Sequence, residues 1–219
     1  MNTLILKGFP VSKKIKLSLK KKIDELRRKN VIPTLVAVLV GDDPASQIYI
    51  RSKHKTFIEN NCKSEIKKFD KNITENELIN FIKKMNLDEN VHGILIQLPL
   101  SKTINERKVL NAISPDKDVD GFHPINVGNL SSGYDSSIPC TPLGCSLLLK
   151  KAEKNLSGKH AVVIGRSNLN GKPMTQLLLK ENCTVTVTHS KTKNLKTECL
   201  RADIIIAAVG IPKLVKGDW

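Results

Sequence analysis

The stretch that decides the fold is KHAVVIGRSNLNGKPM, residues 159–174. It opens with a short apolar run, passes through a turn that contains Gly165 and Gly171, and ends in a helical pattern. A buried strand, a glycine-containing turn and a helix in this order are typical of a nucleotide-binding βα unit. The turn lacks the pattern G-x-G-x-x-G, so by itself the stretch is equally compatible with an ordinary βα turn.

The residues that follow this turn continue the alternation of strands and helices. CTVTVTH (183–189) predicts a strand with β-branched alternation, NLKTECLR (194–201) a short helix, and ADIIIAAVG (202–210) a further strand. This β-α-β-α-β order predicts a Rossmann-type nucleotide-binding half. A helical pattern also precedes it, in TPLGCSLLLKKAEK (141–154).

The first part of the chain predicts a second α/β unit. TLVAVLVG (34–41) and VHGILIQLPL (91–100) are apolar runs of strand length, and between them lie helical patterns, one from Pro44 and one at 74–85. The second of these opens with a predicted capping box, Thr74 to Glu77. Continuous apolar strands separated by amphipathic helices predict a parallel sheet with helices on both faces, a three-layer α/β domain.

A segment rich in Gly, Pro, Ser and Asp, residues 114–140, joins the two halves and predicts a loop or linker. We therefore place the domain boundary near residue 140. The predicted domains are 1–139, a catalytic domain, and 140–219, a nucleotide-binding domain.

The composition narrows the classes of partner. The chain has 36 basic and 21 acidic residues, a net charge of +15. The lysines are scattered and lack interleaved aromatic residues, which favours a small polyanionic substrate or phosphorylated cofactor over nucleic acid. Nothing in the apolar runs predicts a signal peptide or a membrane span. The five cysteines form no CxxC pair, which predicts a reducing cytoplasm and neither disulfides nor a metal site.

The residues after the second predicted strand of the nucleotide-binding half bear on the choice of cofactor. An NAD enzyme places a carboxylate here to bind the ribose 2′-hydroxyl. This chain instead has Ser190 and Lys191, and Arg166 lies in the preceding turn. Hydroxyl and cationic groups suit a 2′-phosphate, which points to NADP. The alternative is a solvated loop in a basic protein.

A set of four residues in the first domain could form a reaction site. Tyr49 and Lys53 are four residues apart and share a helix face. Gln97 ends a predicted buried strand, at the edge where α/β proteins bind ligands, and Asp120 lies in an Asp-Val-Asp-Gly turn. A buried lysine can act as acid or base. Each residue taken alone is more simply a solvated or structural side chain.

Five segments, in this order and spacing, resemble the bifunctional methylenetetrahydrofolate dehydrogenase/methenyltetrahydrofolate cyclohydrolase family, and they cover nearly the whole chain. The segments are VGDDPASQIYIRSKHK, GILIQLPL, PDKDVDGFHPINVGNL, PCTPLG and VVIGRSNLNGKPM. The resemblance implies a two-domain α/β fold, a homodimer formed through the nucleotide-binding domains, and a substrate cleft between the domains.

The resemblance also implies two reactions: oxidation of 5,10-methylenetetrahydrofolate with NADP, then hydrolysis of the methenyl cation to 10-formyltetrahydrofolate. The implied roles are as follows: Lys53 is the catalytic lysine, Tyr49 the stacking tyrosine, Gln97 the residue that tunes the lysine, Asp120 the holder of the pterin, Gly165, Arg166 and Ser167 the dinucleotide turn, and Ser190 the contact to the 2′-phosphate.

The chain departs from the family at its end. Family members continue with a further strand, a loop near the nicotinamide and a final helix, so we expect this chain to be a C-terminally truncated fragment with an incomplete cofactor domain. Two alternatives stay open. One is a dehydrogenase without the hydrolase step, against which Lys53 and Gln97 argue. The other is a non-catalytic folate- or nucleic-acid-binding protein.

Overall fold

The computed structural model describes residues 3–219, which divide into two compact units. One unit comprises residues 12–125 and the other residues 126–219 together with the described residues up to Val11. Each unit is built around a parallel three-stranded sheet. The predicted α/β fold with two sheets is therefore confirmed.

The elements up to residue 132 begin with a helix and then alternate. They are α1 (Gly8–Arg28), β1 (Thr34–Val40), α2 (Pro44–Glu59), β2 (Lys63–Phe69), α3 (Glu75–Leu87), β3 (Gly93–Ile96), α4 (Glu106–Asn111), a 3-10 turn (Pro115–Lys117) and α5 (Pro124–Ser132). The strand order is β2-β1-β3, with all neighbours parallel. The central position of β1 explains its unbroken apolar sequence, since both of its faces are covered.

Alternation along β1 distributes its side chains to two cores. Leu35, Ala37 and Leu39 pack with Ile50 of α2 on one face of the sheet. Val36 and Val38 pack with α3 on the other face. Helix, sheet and helix thus form the predicted three layers.

Two helix starts in this unit follow from local sequence. The Asp43 side chain caps α2 by accepting the Ser46 N–H at 2.8 Å, and Pro44 takes the first helical position. The predicted capping box of α3 is confirmed: Thr74 Oγ1 accepts the Glu77 N–H at 3.2 Å, and the Glu77 carboxylate accepts the Thr74 N–H at 2.9 Å.

The remaining elements lie in the second unit, which also contains most of α5. They are α6 (Cys140–Ala152), β4 (His160–Ile164), α7 (Gly171–Lys180), β5 (Thr184–Thr188), α8 (Leu195–Leu200) and β6 (Ile204–Ala207). The β-α-β-α-β alternation is confirmed. The strand order is β5-β4-β6 with all neighbours parallel, so the first strand is central and the order in which strands are added reverses at β4, where β6 joins on the side opposite β5. A doubly wound sheet binds its ligand at such a reversal point.

Two local predictions differ from the structure. The segment 114–140, predicted as a loop, contains the nine-residue helix α5. Its asparagine and serine content hid an apolar pattern in which Leu130 is buried. The predicted strand at 91–100 is regular only over Gly93–Ile96, and a cis peptide bond joins Leu98 and Pro99 in the segment that follows.

Helix α1 is amphipathic in sequence, yet none of its residues is buried. Phe9, Leu17 and Leu19 are among its exposed apolar side chains. Across residues 3–219, no helix is both long enough and apolar enough to span a membrane.

Candidate active site

Helix α2 brings Tyr49 and Lys53 into direct contact. The Lys53 ammonium lies 4.6 Å from the centre of the Tyr49 ring, in a cation–π geometry. Tyr49 is 54% exposed, so one face of its ring is open, while Lys53 is half-buried. The predicted pairing of these side chains on one helix face is therefore present.

Gln97 lies where β3 ends. Its N–H donates to Val38 O of the central strand at 2.9 Å, and its side-chain Nε2 donates to Leu98 O at 2.8 Å. These bonds hold the amide in place. Within residues 3–219, the Oε1 atom is buried and has no hydrogen-bond partner. A buried acceptor without a donor is costly, so this oxygen is suited to an amine or N–H that arrives with a ligand or from a mobile side chain.

Asp120 lies in a turn that runs alongside β3. Asp118 forms a parallel bridge with Ile94, so the two segments run in the same direction. Asp120 and Gln97, a few residues further along each segment, therefore lie at the same edge of the sheet. Val119 packs into the core that contains Ile50 of α2. The turn therefore contacts both β3 and the core beneath α2.

The pKa of the Asp120 carboxyl is raised above its ordinary value of 3.8. Burial is the largest cause, because it disfavours the charged form. The positive charge of Lys53 acts in the opposite direction, and the negative charge of Asp118 adds to the effect of burial. Lys53 is thus close enough to Asp120 to act on it electrostatically.

The structure brings together Tyr49, Lys53 and Asp120. Gln97 lies at the same edge of the sheet, but no direct bond joins it to the other three in the described chain. The arrangement combines an amine, an open aromatic face, an amide acceptor and a carboxyl group. Such a set can stack a flat ring, accept N–H groups and move a proton.

Replacing Asp120 by asparagine is expected to stabilise the fold at neutral pH. Because the pKa of this acid is raised by folding, the native state holds more protons than the unfolded state, and wild-type stability falls as pH rises above about 3.8. Asp120→Asn removes that loss. Thermal melts across pH should show a higher Tm for the variant at pH 7 and converging curves below pH 3.8. The same shift for Asp116→Asn, which changes an exposed carboxylate nearby, would contradict this assignment.

The turn after β4 is tightly folded in the second unit. Gly165 has φ +112°, and a Cβ there would lie 2.5 Å from Ala208 O. A Cβ on Gly171 would overlap the carbonyl group of Gly165. Glycine is therefore required at both positions. At Gly165 the turn approaches the backbone after β6, and at Gly171 the start of α7 approaches the backbone of the turn. Among the described residues no side chain caps α7, and the Lys172 N–H in its first turn donates to Ser167 O at 3.0 Å. The helix dipole favours an anion at this end.

Gly171→Ala should disrupt this turn, because a new Cβ lies 2.6 Å from Gly165 C and 2.9 Å from Arg166 N. Backbone atoms must move, at a cost of about 1–3 kcal/mol in the free energy of unfolding. Urea denaturation measures this loss. Gly144→Ala in α6 is the control, since a Cβ there meets nothing within 4 Å. Equal effects of the two substitutions would show that the turn has no special tightness.

The loop after β5 presents Ser190 and Lys191 to solvent. Thr192 closes it: its Oγ1 accepts the His189 N–H at 2.9 Å, and its N–H donates to His189 O at 2.8 Å. Ile164 of β4 pairs with Thr188 of β5, so Arg166 and Ser190 each follow two residues after paired positions. The two side chains thus leave the sheet at neighbouring strand ends.

A cavity of about 330 Å³ lies at the end of β6, between α6 and the start of α7, on the side of the sheet where the strand order reverses. Thr141 and Cys145 of α6, Asn170 and Met174 at the start of α7, and Ala207–Gly210 after β6 contribute to its walls. None of these residues was predicted from the sequence to line a cofactor site. Their signal was the strand order, which places the first and third strands side by side and which sequence pattern does not reveal.

The donors of the second unit fit a dinucleotide phosphate. A glycine-lined turn, an uncapped helix N-terminus and exposed Arg166 and Ser190 surround the strand ends next to the cavity. In the described part of the chain, no group of three or more His, Cys, Asp or Glu side chains could hold a metal ion.

A lysine–tyrosine–carboxyl cluster in one α/β unit, followed in the chain by a unit with a nucleotide-type βα turn, defines a two-domain dinucleotide-dependent enzyme. Two family models match the chain. Residues 6–120 match the catalytic domain of tetrahydrofolate dehydrogenase/cyclohydrolase, and residues 139–219 match its NAD(P)-binding domain. The chain belongs to the tetrahydrofolate dehydrogenase/cyclohydrolase family.

Curated relatives agree with the family models. The bifunctional protein FolD of Pelagibacter ubique is 58% identical over 217 residues, covering 99% of this chain and 77% of the relative. The bifunctional protein FolD of Campylobacter concisus is 54% identical, covering 98% of this chain and 76% of the relative. The chain thus spans about three quarters of the length of these relatives.

Solved structures share the fold. The bifunctional FolD enzyme of Campylobacter jejuni superposes with a TM-score of 0.94 at 48% identity, covering 96% of this chain and 75% of that one. The Trypanosoma brucei methylenetetrahydrofolate dehydrogenase-cyclohydrolase, solved with NADP cofactor and an inhibitor, gives a TM-score of 0.94 at 32% identity, covering 100% and 76%.

Proposed function

We propose that this chain oxidises 5,10-methylenetetrahydrofolate with NADP and hydrolyses the resulting 5,10-methenyltetrahydrofolate to 10-formyltetrahydrofolate. Family membership over nearly the whole chain supports both activities. The observation that carries the proposal is the Lys53–Tyr49 contact, with its electrostatic link to Asp120, at the edge of a parallel sheet. This cluster supplies the groups that both steps need.

We assign the roles of these residues as follows. The open face of the Tyr49 ring stacks on the flat pterin ring system, and the Asp120 carboxylate accepts its N–H groups. The Lys53 side chain, as a neutral amine, accepts the proton that water loses when it adds to the methenyl carbon. Gln97 Oε1 has no hydrogen-bond partner within residues 3–219, and we assign it the role of accepting an N–H from Lys53 when that side chain moves toward it during the reaction.

The cofactor roles concern the second unit. NADP, when bound, accepts the hydride from the carbon between the two folate nitrogens. Gly165, Arg166 and Ser167 hold the dinucleotide phosphates, and Ser190 with Arg166 holds the 2′-phosphate. The uncapped start of α7 and the basic strand ends support this assignment.

Three further proposals concern the whole protein. We infer a homodimer, a cytoplasmic location, and no nucleic-acid or membrane partner. Five cysteines without a disulfide suit a reducing compartment. The domain boundary near residue 140 also stays a proposal. Sedimentation at several concentrations tests the dimer, and a monomer throughout would refute it.

The function is tested by following NADPH formation by the purified chain. NADPH should appear only when 5,10-methylenetetrahydrofolate and NADP are both present, and more slowly with NAD. NADPH formation that ignores the folate, or its absence with both reactants, would refute the dehydrogenase assignment.

A further inference from the structure

The turn that carries Asp120 is held by a second carboxylate, Asp118, which is only 2% exposed. Asp118 Oδ1 accepts the Gly121 N–H at 3.0 Å, and Oδ2 accepts the His123 N–H at 2.8 Å. Both oxygens of the buried side chain are therefore used on the backbone just beyond Asp120. Hydrogen bonds to a charged acceptor are about twice as strong as neutral ones, so the turn is firmly held.

Asp118 is fixed to the rest of the unit in turn. Its backbone forms the bridge to Ile94 of β3, and its N–H donates to Ser114 O at 3.0 Å. Val119 occupies the space left by Gly93, where a Cβ would lie 2.5 Å from Val119 Cγ1. Asp120 is therefore flanked on both sides by restrained residues. Val119 before it packs against β3, and Gly121 after it is bonded to the Asp118 carboxylate.

The two carboxyl groups also interact electrostatically. The charged groups that act on Asp120 are Lys53 from α2 and Asp118 from its own turn. The charge of Asp118 favours the protonated form of Asp120, and the charge of Lys53 favours the ionised form. Asp118 thus acts on the position of Asp120 through the turn backbone and on its ionisation through charge.

We propose that Asp118 is a positioning residue for the reaction: its buried carboxylate fixes the 118–123 turn so that Asp120 faces Lys53, and it places a second negative charge near that of Asp120. This inference rests on the proposed function, because it assumes that ionised Asp120 binds the folate. It concerns a residue that the family roles assigned above leave without a function.

The test is Asp118→Asn in the whole chain. Asparagine keeps the volume and one acceptor oxygen but removes the charge and one bond to the turn. The KM for 5,10-methylenetetrahydrofolate should rise roughly tenfold. The acidic limb of the kcat/KM profile should move to lower pH, because Asp120 loses a neighbouring negative charge that favours its protonated form.

The pH profile separates positioning from mere support of the fold. A purely structural Asp118 would lower the Tm without moving the acidic limb, and that result overturns the inference. Asp116→Asn is the matched control: it removes an exposed carboxylate two residues earlier and should leave the KM and the pH limb unchanged.

Asp120→Asn separates this inference from the proposed function. Wild-type activity in Asp120→Asn would refute the role of Asp120 and the inference with it. Loss of activity in Asp120→Asn, with an unmoved acidic limb in Asp118→Asn, would refute the inference alone.

A second measurement needs no variant at Asp118. Carbon-13 NMR titration of the wild-type side-chain carboxyls should place the pKa of Asp120 above its ordinary value of 3.8. An Asp120 whose pKa is not raised would overturn the inference even if Asp118→Asn fails to fold.

Discussion

Lys53→Met is expected to lower cyclohydrolase activity by about 10²–10⁴-fold while leaving the dehydrogenase rate much closer to wild type. Water that adds to the methenyl cation must lose a proton, and positioned acid–base groups contribute rate factors of about this size. Hydride departs from a carbon flanked by two nitrogens, which delocalise the product cation, so that step needs little proton transfer. Methionine keeps the length of the side chain and removes the amine.

Both activities should be measured on the same preparation of the variant, so that differences in folding cancel in their ratio. Lys55→Met is the matched control, because Lys55 lies on the same helix, is exposed and pairs only loosely with Glu59 at 3.8 Å. The control should leave the ratio unchanged. A Lys53→Met enzyme that retains cyclohydrolase activity and loses only the dehydrogenase would contradict the assigned role.

Ser190→Asp is expected to weaken NADP binding by roughly tenfold to a hundredfold and NAD binding far less. The new carboxylate would stand where the loop is proposed to accept a 2′-phosphate, replacing a hydrogen-bond donor by a like charge. A change of about 1.4 kcal/mol corresponds to each tenfold step in the dissociation constant. Titration calorimetry with both dinucleotides measures the two changes.

The control for this experiment is Ser157→Asp. Ser157 is exposed and precedes β4, so it lies at the opposite end of the sheet from Ser190. The substitution introduces the same negative charge at that distant end. It should change neither dissociation constant. Equal weakening of NADP and NAD by Ser190→Asp would remove Ser190 from the 2′-phosphate site.

Local sequence was sufficient for much of the fold. The covered faces of β1 and β4 produce apolar runs that predict buried parallel strands, and Thr74 with Glu77 predicted the start of α3 through bonds within four residues. Tyr49 and Lys53 could be paired for the same reason, since four residues along a helix fix their relation.

Long-range relations could not be predicted in this way. The β5-β4-β6 order depends on which face α8 covers, so the cavity wall at Ala207–Gly210 was missed. Asp118 and Asp120 look equivalent in the sequence, yet their surroundings differ. The Asp118 carboxylate accepts backbone N–H groups, whereas burial raises the pKa of Asp120 and the charge of Lys53 lowers it. An Asp three residues before a left-handed Gly121, at φ +68°, was the available signal for the structural member.

The most direct test of the central claim follows the fate of one carbon. The purified chain is supplied with NADP and 5,10-methylenetetrahydrofolate labelled with carbon-13 in the methylene group, and the label is observed by NMR. We predict that the methylene signal gives way to a methenyl signal and then to a formyl signal, both faster than without enzyme. A label that stays in the methylene group, or a methenyl signal that decays only at the enzyme-free rate, would contradict the claim that this chain catalyses both reactions.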